Sequence, residues 1–493
     1  STATDEDADM DAGEYVYASS LGLEEDDSVL AGTRNFQKLK TAISQGKNII
    51  VDGMYPLLNI SKTTAIELNR TLIIKGDERE DGFYNPTAAL TDNYWFCMRE
   101  NSGMKLKNLT IYSNSNSNKT YVCFNANEQC FINAINAEEC SISGNVHFIN
   151  FTFTTFYEPS DNWGFGGAKI SNCVFENVSG CVYVTDMPCG FIELYDNQVK
   201  NFSRMFASAT RENDDEDNEG DVRVNPYAGV YDEEGYIKGI IAERNNVVCE
   251  DDYWAEDTTG RIKYYTFLFC KAENAIIKDN HVEGMKTVGN VALYDYYISC
   301  KNVEVENNTW KNNCIFNTEN VNKVLMKSKQ MGGNKIYKDN TYILESSWLE
   351  SMNDKLSNPL SESELKTIST FNMYEIVEET DSLEIINNEI NIPNLTFPSY
   401  ATKLKNIKIS GNTIDCGTIN GAMFTPGRIT EYVEIIDNSI NAANNTGCEF
   451  SIVKVTQRIT DPIETIDISR NTININKGKF YLYIDICYYN SKS

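Results

Sequence analysis

The chain has 493 residues, enough for a large core, and length alone would divide it into roughly two to four domains unless it grows along one axis as a repeat. Lys and Arg number 43 against 71 Asp and Glu, a net charge of −28 that argues against a nucleic-acid binder or a partner of anionic membranes. No apolar run reaches the ~20 residues that span a bilayer, and no signal-peptide pattern opens the chain, which reads as a soluble mature protein. The two histidines, His147 and His281, leave little room for chemistry built on several imidazoles, whereas 58 Asn far exceed ordinary globular usage.

The first thirty-two residues are expected to be a disordered acidic leader. Ser1 to Gly13 is small and acidic without periodicity, and its alternating Asp5, Asp7, Asp9 and Asp11 lack the glycine that a calcium loop needs at its sixth position. The run resembles the mature leader of bacterial surface lipoproteins, without an acylatable Cys ahead of it. From residue 33 the texture changes. Arg34 to Ser44 places Phe36, Leu39, Ala42 and Ile43 on one face of a short amphipathic helix that Gly46 ends. Asn48–Val51, Ile66–Leu68 and Thr71–Gly76 follow as short strands.

The remainder repeats one unit, apolar-x-apolar-x-x-Asn-x-apolar. It occurs as Ile192/Leu194/Asn197/Val199, Ile240/Ala242/Asn245/Val247 and Ala275/Ile277/Asn280/Val282, and again around Asn308, Asn388, Asn412, Asn438 and Asn471. Weaker copies centre on Asn114, Phe151, Cys173 and Asn340. The spacing of these centres falls to a floor of 22–24 residues, one turn of a solenoid, and the larger gaps are turns carrying inserted loops. Apolar residues two apart share a strand face, and Asn tolerates the left-handed bend that redirects the chain. Stacked amides can also bond from coil to coil. One coil cannot bury its face alone, so only the stack is stable. A second strand follows each Asn, as in Cys181–Val184, Phe267–Cys270 and Phe450–Val453. The fourteen cysteines show no metal-ligand spacing and sit within apolar alternations, which reads as buried small hydrophobes.

This pattern resembles the right-handed parallel β-helix, or pectin-lyase-like, superfamily, from about Thr33 to Cys487. The resemblance implies an all-β, single-stranded right-handed parallel β-helix of about 12–13 coils behind an N-terminal capping helix. Residues 33–493 form that one domain, with long loops at 204–239 and 346–370. In the second loop Ser361-Glu362-Ser363-Glu364 reads as a capping box before a short helix. A leucine-rich solenoid competes poorly, because Leu is not fixed and most coils lack helical segments.

Within the superfamily, the order of motifs seen in pectin hydrolases is incomplete: Asp251-Asp252 and Arg261-Ile262-Lys263 occur, but neither histidine is flanked by glycines. In the chondroitinase B and alginate lyase group a strand lysine precedes the turn Asn by nine residues. Lys271 stands nine before Asn280, and this likeness is the nearest within the superfamily. The glutamates which that group places before the lysine correspond to Tyr264 and Thr266. A lyase needs a base of tuned pKa and a cation to stabilise the enolate-like charge. Lys271 is the candidate base and Arg211 the candidate neutralising cation. Asp186 and Asp295 are candidates for holding calcium or positioning hydroxyls, and Trp163, Tyr253 and Trp254 for stacking on sugar rings. The acidic loop holds Asp215-x-Asp217-x-Glu219-Gly220, the opening of a calcium loop whose twelfth position is Pro226; Asp215, Asp217 and Glu219 are its candidate ligands, and Ca2+ is the only cofactor in view.

Two functions follow as expectations. One is an extracellular carbohydrate-active protein, a polysaccharide lyase on acidic glycans before a glycoside hydrolase. The other is a non-catalytic glycan-binding or adhesive cell-surface protein. Either takes a polysaccharide as partner, excludes nucleic acid and a membrane span, and is expected to be a monomer, secreted or held at the surface through a removed lipidated leader.

Overall fold

The computed structural model describes residues 13–115, 117–153, 163–210, 237–254, 264–288, 292–318, 323–328, 332–376, 379–398, 403–445, 448–454, 463–477 and 479–480. The chain forms two compact units, Ser1–Asp215 with Tyr236–Ile241 and Glu216–Gly235 with Ala242–Ser493. Both are parallel β-helices. No helix among the described residues is long and apolar enough to cross a membrane.

In the first unit each coil contributes three strands to three parallel stacks. One stack runs Asn48–Val51, Thr71–Gly76, Ser102–Lys107, Phe131–Glu138, Ala168–Ser171 and Cys189–Tyr195. The second runs Met54–Pro56, Gly82–Asn85, Thr110–Ser113, Ser141–Gly144, Val174–Val178 and Gln198–Phe202. The third runs Ile66–Leu68, Asn93–Met98, Thr120–Phe124, Val146–Thr152, Gly180–Thr185 and Met205–Thr210. The sequence pattern resolves two strands per coil; the third arises because the residues just after each turn form a short strand of their own. The interior is apolar and aromatic, with Phe83 edge-on to Trp95 and Phe175 edge-on to Phe206.

The capping helix, α1 (Val29–Ser44), starts five residues earlier than the periodicity places it, because Ser28 accepts a hydrogen bond from the Ala31 amide as its N-cap. It buries Ala31, Phe36, Leu39, Ala42 and Ile43. Ahead of it, Tyr15–Tyr17 pairs in parallel with Asn48–Val51. The expected disordered leader over 1–32 is thus corrected: residues 13–32 belong to the folded cap, and residues 1–12 lie outside the described residues. The leader's acidity misled because Glu24 is held by Arg34 and Asp27 by Thr87.

In the second unit the longest strands, Tyr264–Lys278 and Ala292–Glu306, are in register along their length, and Asn334–Lys338, Thr380–Ile386, Leu404–Ser410, Tyr432–Ile436 and Thr465–Ser469 continue the stack. The recurring Asn of the repeat forms a buried ladder. The backbone N–H and the side-chain amide of Asn280 both donate to Oδ1 of Asn308, each at 2.9 Å, and the other amide hydrogen bonds the Ala242 carbonyl at 2.8 Å. The same pattern joins Asn308 to Asn340, Asn340 to Asn388, Asn388 to Asn412, Asn412 to Asn438 and Asn438 to Asn471. One sequence expectation needs correction here. The left-handed residue is not the Asn but the one before it: Asp279, Asn307, Asp339, Asn387, Gly411, Asp437 and Arg470 all have positive φ. That residue turns the chain, and the turn delivers the Asn side chain to the interior.

The thirteen described cysteines stand in no disulfide; twelve are buried and Cys448 is half-buried. Burial raises the thiol pKa of Cys123, Cys181 and Cys189 and lifts Cys130 to about 11, so the reactive thiolate is suppressed. Because burial keeps the reagent from them, titration of the native protein with an aromatic disulfide at neutral pH is expected to leave the twelve buried thiols unreacted until denaturant is added. Rapid native labelling of several of them would contradict the layered-core reading.

Candidate functional site

The loop at 346–370 leaves the second unit between Thr341–Ile343 and Thr370–Ile376 and folds into two short helices, α2 (Ser346–Asp354) and α3 (Glu362–Ile368). The capping box expected at Ser361 is present: Ser361 accepts from the Glu364 amide while the Glu364 carboxylate accepts from the Ser361 amide. Asn353 fixes the turn between the helices by bonding both the amide and the carbonyl of Leu360. The insertion is seated from below. Cys314 reaches the Ile368 carbonyl, and Lys323 Nζ reaches that of Thr367 at 3.3 Å.

Between this insertion and the outer face of the coils lies an open cavity of about 700 Å³. Its wall is Glu345, Ser346, Glu362 and Lys366; its floor is Asn391 to Asn394, Asp415 to Thr418, and Ala443 and Asn444, supplied by successive coils. The floor repeats because the strands are in register: Asn391 stands opposite Asp415 and Asn394 opposite Thr418. Stacking places such partners about 4.8 Å apart. Gly417 is required at the bend, since a Cβ there would sit 2.8 Å from the Pro393 carbonyl.

Four polar groups of this trough are held in place. Asn394, largely buried, donates to Ser369 Oγ at 3.1 Å and accepts from Thr418 Oγ1 at 2.6 Å. Glu345 is gripped by Asn312, whose amide donates to its Oε1 at 3.0 Å and whose carbonyl accepts from the Glu345 N–H at 2.9 Å. Lys311 Nζ lies 3.7 Å from the same carboxylate oxygen. Asp415 accepts from the Asn441 amide at 3.3 Å. Fixed amides, hydroxyls and carboxylates on a repeating floor can recognise a hydroxyl-bearing chain without first being ordered.

The residues singled out in the sequence fall elsewhere. Lys271 is half-buried on Tyr264–Lys278, opposite Ser299 of the next coil. Asp295 is on that next strand, four residues before Ser299. Protein surrounds its carboxyl, and burial lifts its pKa to about 7 against the hydrogen bond from Asn313. Tyr253 is half-buried, and Trp254 packs edge-on to Phe316 beneath the Lys286 ammonium. Lys286 itself is buried, with Nζ on the Glu250 and Gly284 carbonyls, and burial lowers its pKa.

Asp186 and Trp163 belong to the first unit. Asp186 is buried, left-handed, and donates its amide to the Thr210 carbonyl. Trp163 is 4% exposed and edge-on to Phe153, so its ring is committed to packing. Also in that unit, Tyr94, Tyr121 and His147 stack face to face on successive coils at 5.1 Å, and burial, then the charges of Lys119 and Arg204, lower His147 to about 3. Arg211, Asp215, Asp217 and Glu219 lie outside the described residues. Among the described residues no group of three His, Cys, Asp or Glu side chains converges as a metal site.

The floor residues Asn391, Asp415 and Thr418 escaped the sequence reading. They occupy outward positions of the repeat, where the pattern is indifferent to residue type. The wall was foreshadowed by the 48-residue gap between Asn340 and Asn388 and by its capping box.

The strand registers and this trough define a parallel β-helix protein with a polar surface groove walled by an insertion. No family model matches the chain, and no curated protein does. Among solved structures it is similar to one described as the crystal structure of Dettilon tailspike protein (gp208), at 11% identity over 90% of this chain and 68% of that one, with a TM-score of 0.36.

Proposed function

We propose that the protein binds a polysaccharide, with the trough beside the 346–370 insertion as the contact site. The observation that carries this is the floor: polar side chains stand in register on successive coils, Asn391 beside Asp415 and Asn394 beside Thr418, so a polymer lying along the stack meets a hydrogen-bonding group on each coil. The lining sets amides, carboxylates and hydroxyls beside Leu344, Ile392, Pro393 and Ala443, and a sugar, with polar hydroxyls and apolar ring faces, presents the same mixture.

The test is retention of the protein on a panel of soluble and immobilised glycans, repeated with Asn391→Ala/Asp415→Ala. Both side chains are exposed, so the pair is expected to keep the wild-type melting temperature. Binding to at least one glycan, weakened roughly tenfold or more in the double variant, is the expected result. Undiminished binding by that variant would move the site elsewhere. The same samples, followed for ultraviolet absorbance of unsaturated uronides with and without calcium, address turnover. A lyase reading requires product that disappears in Lys271→Ala, and binding without product supports the adhesive reading.

A further inference from the structure

We infer that the trough selects neutral, hydroxyl-rich glycan over polyuronate, an inference that rests on the trough being the glycan site. Three carboxylates, Glu345, Glu362 and Asp415, line it against one ammonium, Lys366. The charge of Glu345 is partly offset by Lys311 at 3.7 Å and engaged by Asn312. Asp415 is not neutralised: its only side-chain bond among the described residues is from the amide of Asn441, through Oδ1. Glu362, exposed in the first turn of α3, makes no ion pair among the described residues.

An ionised carboxylate offers acceptors only. It bonds sugar hydroxyls with charge-assisted strength, and it repels a uronate placed in the same position. The chain as a whole, at −28, adds to that repulsion. A neutral glycan therefore gains from the groups that a polyuronate must overcome, while the exposed amide of Asn391 serves either ligand. Selectivity is set by what the site opposes as much as by what it attracts.

The experiment compares the full chain with Glu362→Gln/Asp415→Asn. Binding is measured calorimetrically to neutral glucans and galactomannans and to polygalacturonate and alginate, at low and high salt. Wild type is expected to bind a neutral glycan with little salt dependence and the polyuronates at least about tenfold more weakly at low salt. The amide variant is expected to narrow that gap roughly tenfold, by losing neutral-glycan affinity and gaining polyuronate affinity. Wild-type preference for a polyuronate that Asn391→Ala/Asp415→Ala abolishes would overturn the selectivity and leave the trough as the site. Binding of no glycan in either class would overturn the trough reading itself, and this inference with it.

Discussion

Asn308→Ala is expected to destabilise the second unit by about 3–5 kcal/mol, among the largest effects of any single substitution. The side chain is 1% exposed and makes four hydrogen bonds at once. Its Oδ1 accepts from both the backbone and the side-chain amide of Asn280, and its own amide donates to the Ile277 carbonyl and to Asn340 Oδ1. Alanine leaves the Asn280 N–H, one Asn280 amide hydrogen and the Ile277 carbonyl without partners, in a place water does not reach. Each such orphan costs roughly 1–3 kcal/mol, partly relieved by local relaxation. Asn308→Asp separates the two roles, because it keeps the acceptor and loses the donors while burying a charge. Asn471→Ala, at a half-buried rung, breaks equivalent bonds where water can replace them, and about 1–2 kcal/mol is expected there. Denaturant unfolding followed by tryptophan fluorescence, with hydrogen exchange at the Asn280 amide, reads all three. A loss below about 1 kcal/mol for Asn308→Ala would show that the ladder decorates the fold and does not hold it.

The ladder also marks how much of this molecule its sequence discloses. A fixed Asn three residues past an apolar pair is visible in the one-dimensional pattern, because the same physical demand recurs on every coil and selects the same residue type. The turn residue before it is less visible. Asp, Asn, Arg and Gly all occupy that left-handed position, so it leaves no single-letter trace. In the first unit the signal weakens further, because Cys173 occupies the rung below Asn197, its backbone N–H donating to Asn197 Oδ1. The thiol stands in for the amide with longer contacts, accepting from the Cys140 N–H at 3.4 Å and reaching the Ala137 carbonyl at 3.7 Å, and because the residue type changes the repeat there reads as ragged.

The candidate site is disclosed in part for the same reason. Insertion length and capping chemistry are local, so α3 and its Ser361 box could be located in advance. The floor depends on register between residues 24 positions apart, such as Asn391 with Asp415, and outward positions on a solenoid carry no periodic constraint. Lys271 illustrates the converse. Its spacing from Asn280 follows from the length of strand before every turn, so any outward residue at that point would show it. A motif that coincides with a structural repeat tells less about chemistry than the same motif elsewhere.

Asp295→Asn is expected to stabilise the protein at pH 8 and to leave it unchanged at pH 4. Burial lifts the Asp295 carboxyl to about 7, whereas in the unfolded chain it titrates near ~3.9. Below the unfolded value the group is neutral in both states and carries no penalty. Between the two values the unfolded state releases a proton that the folded state keeps, so stability falls as pH rises, and above about 7 the full penalty is in place. The gap between the folded and unfolded values sets a ceiling of about 4 kcal/mol, and partial exposure of the residue brings the expected gain nearer about 1–3 kcal/mol. Asparagine preserves the shape and can still accept from Asn313. The other titratable groups near the carboxyl are Cys314, Tyr296 and Tyr342, which burial holds protonated through this range. Lys323, which acts on the same Cys314, is lowered by burial to about 8, so its own contribution changes only as pH rises above that value and does not enter the pH 4 to 7 window. Melting temperatures of wild type and variant from pH 4 to 8 should therefore diverge progressively. A constant offset across the range would mean that the substitution acts through packing, and destabilisation at pH 8 would mean that the ionised carboxylate is a partner the fold depends on.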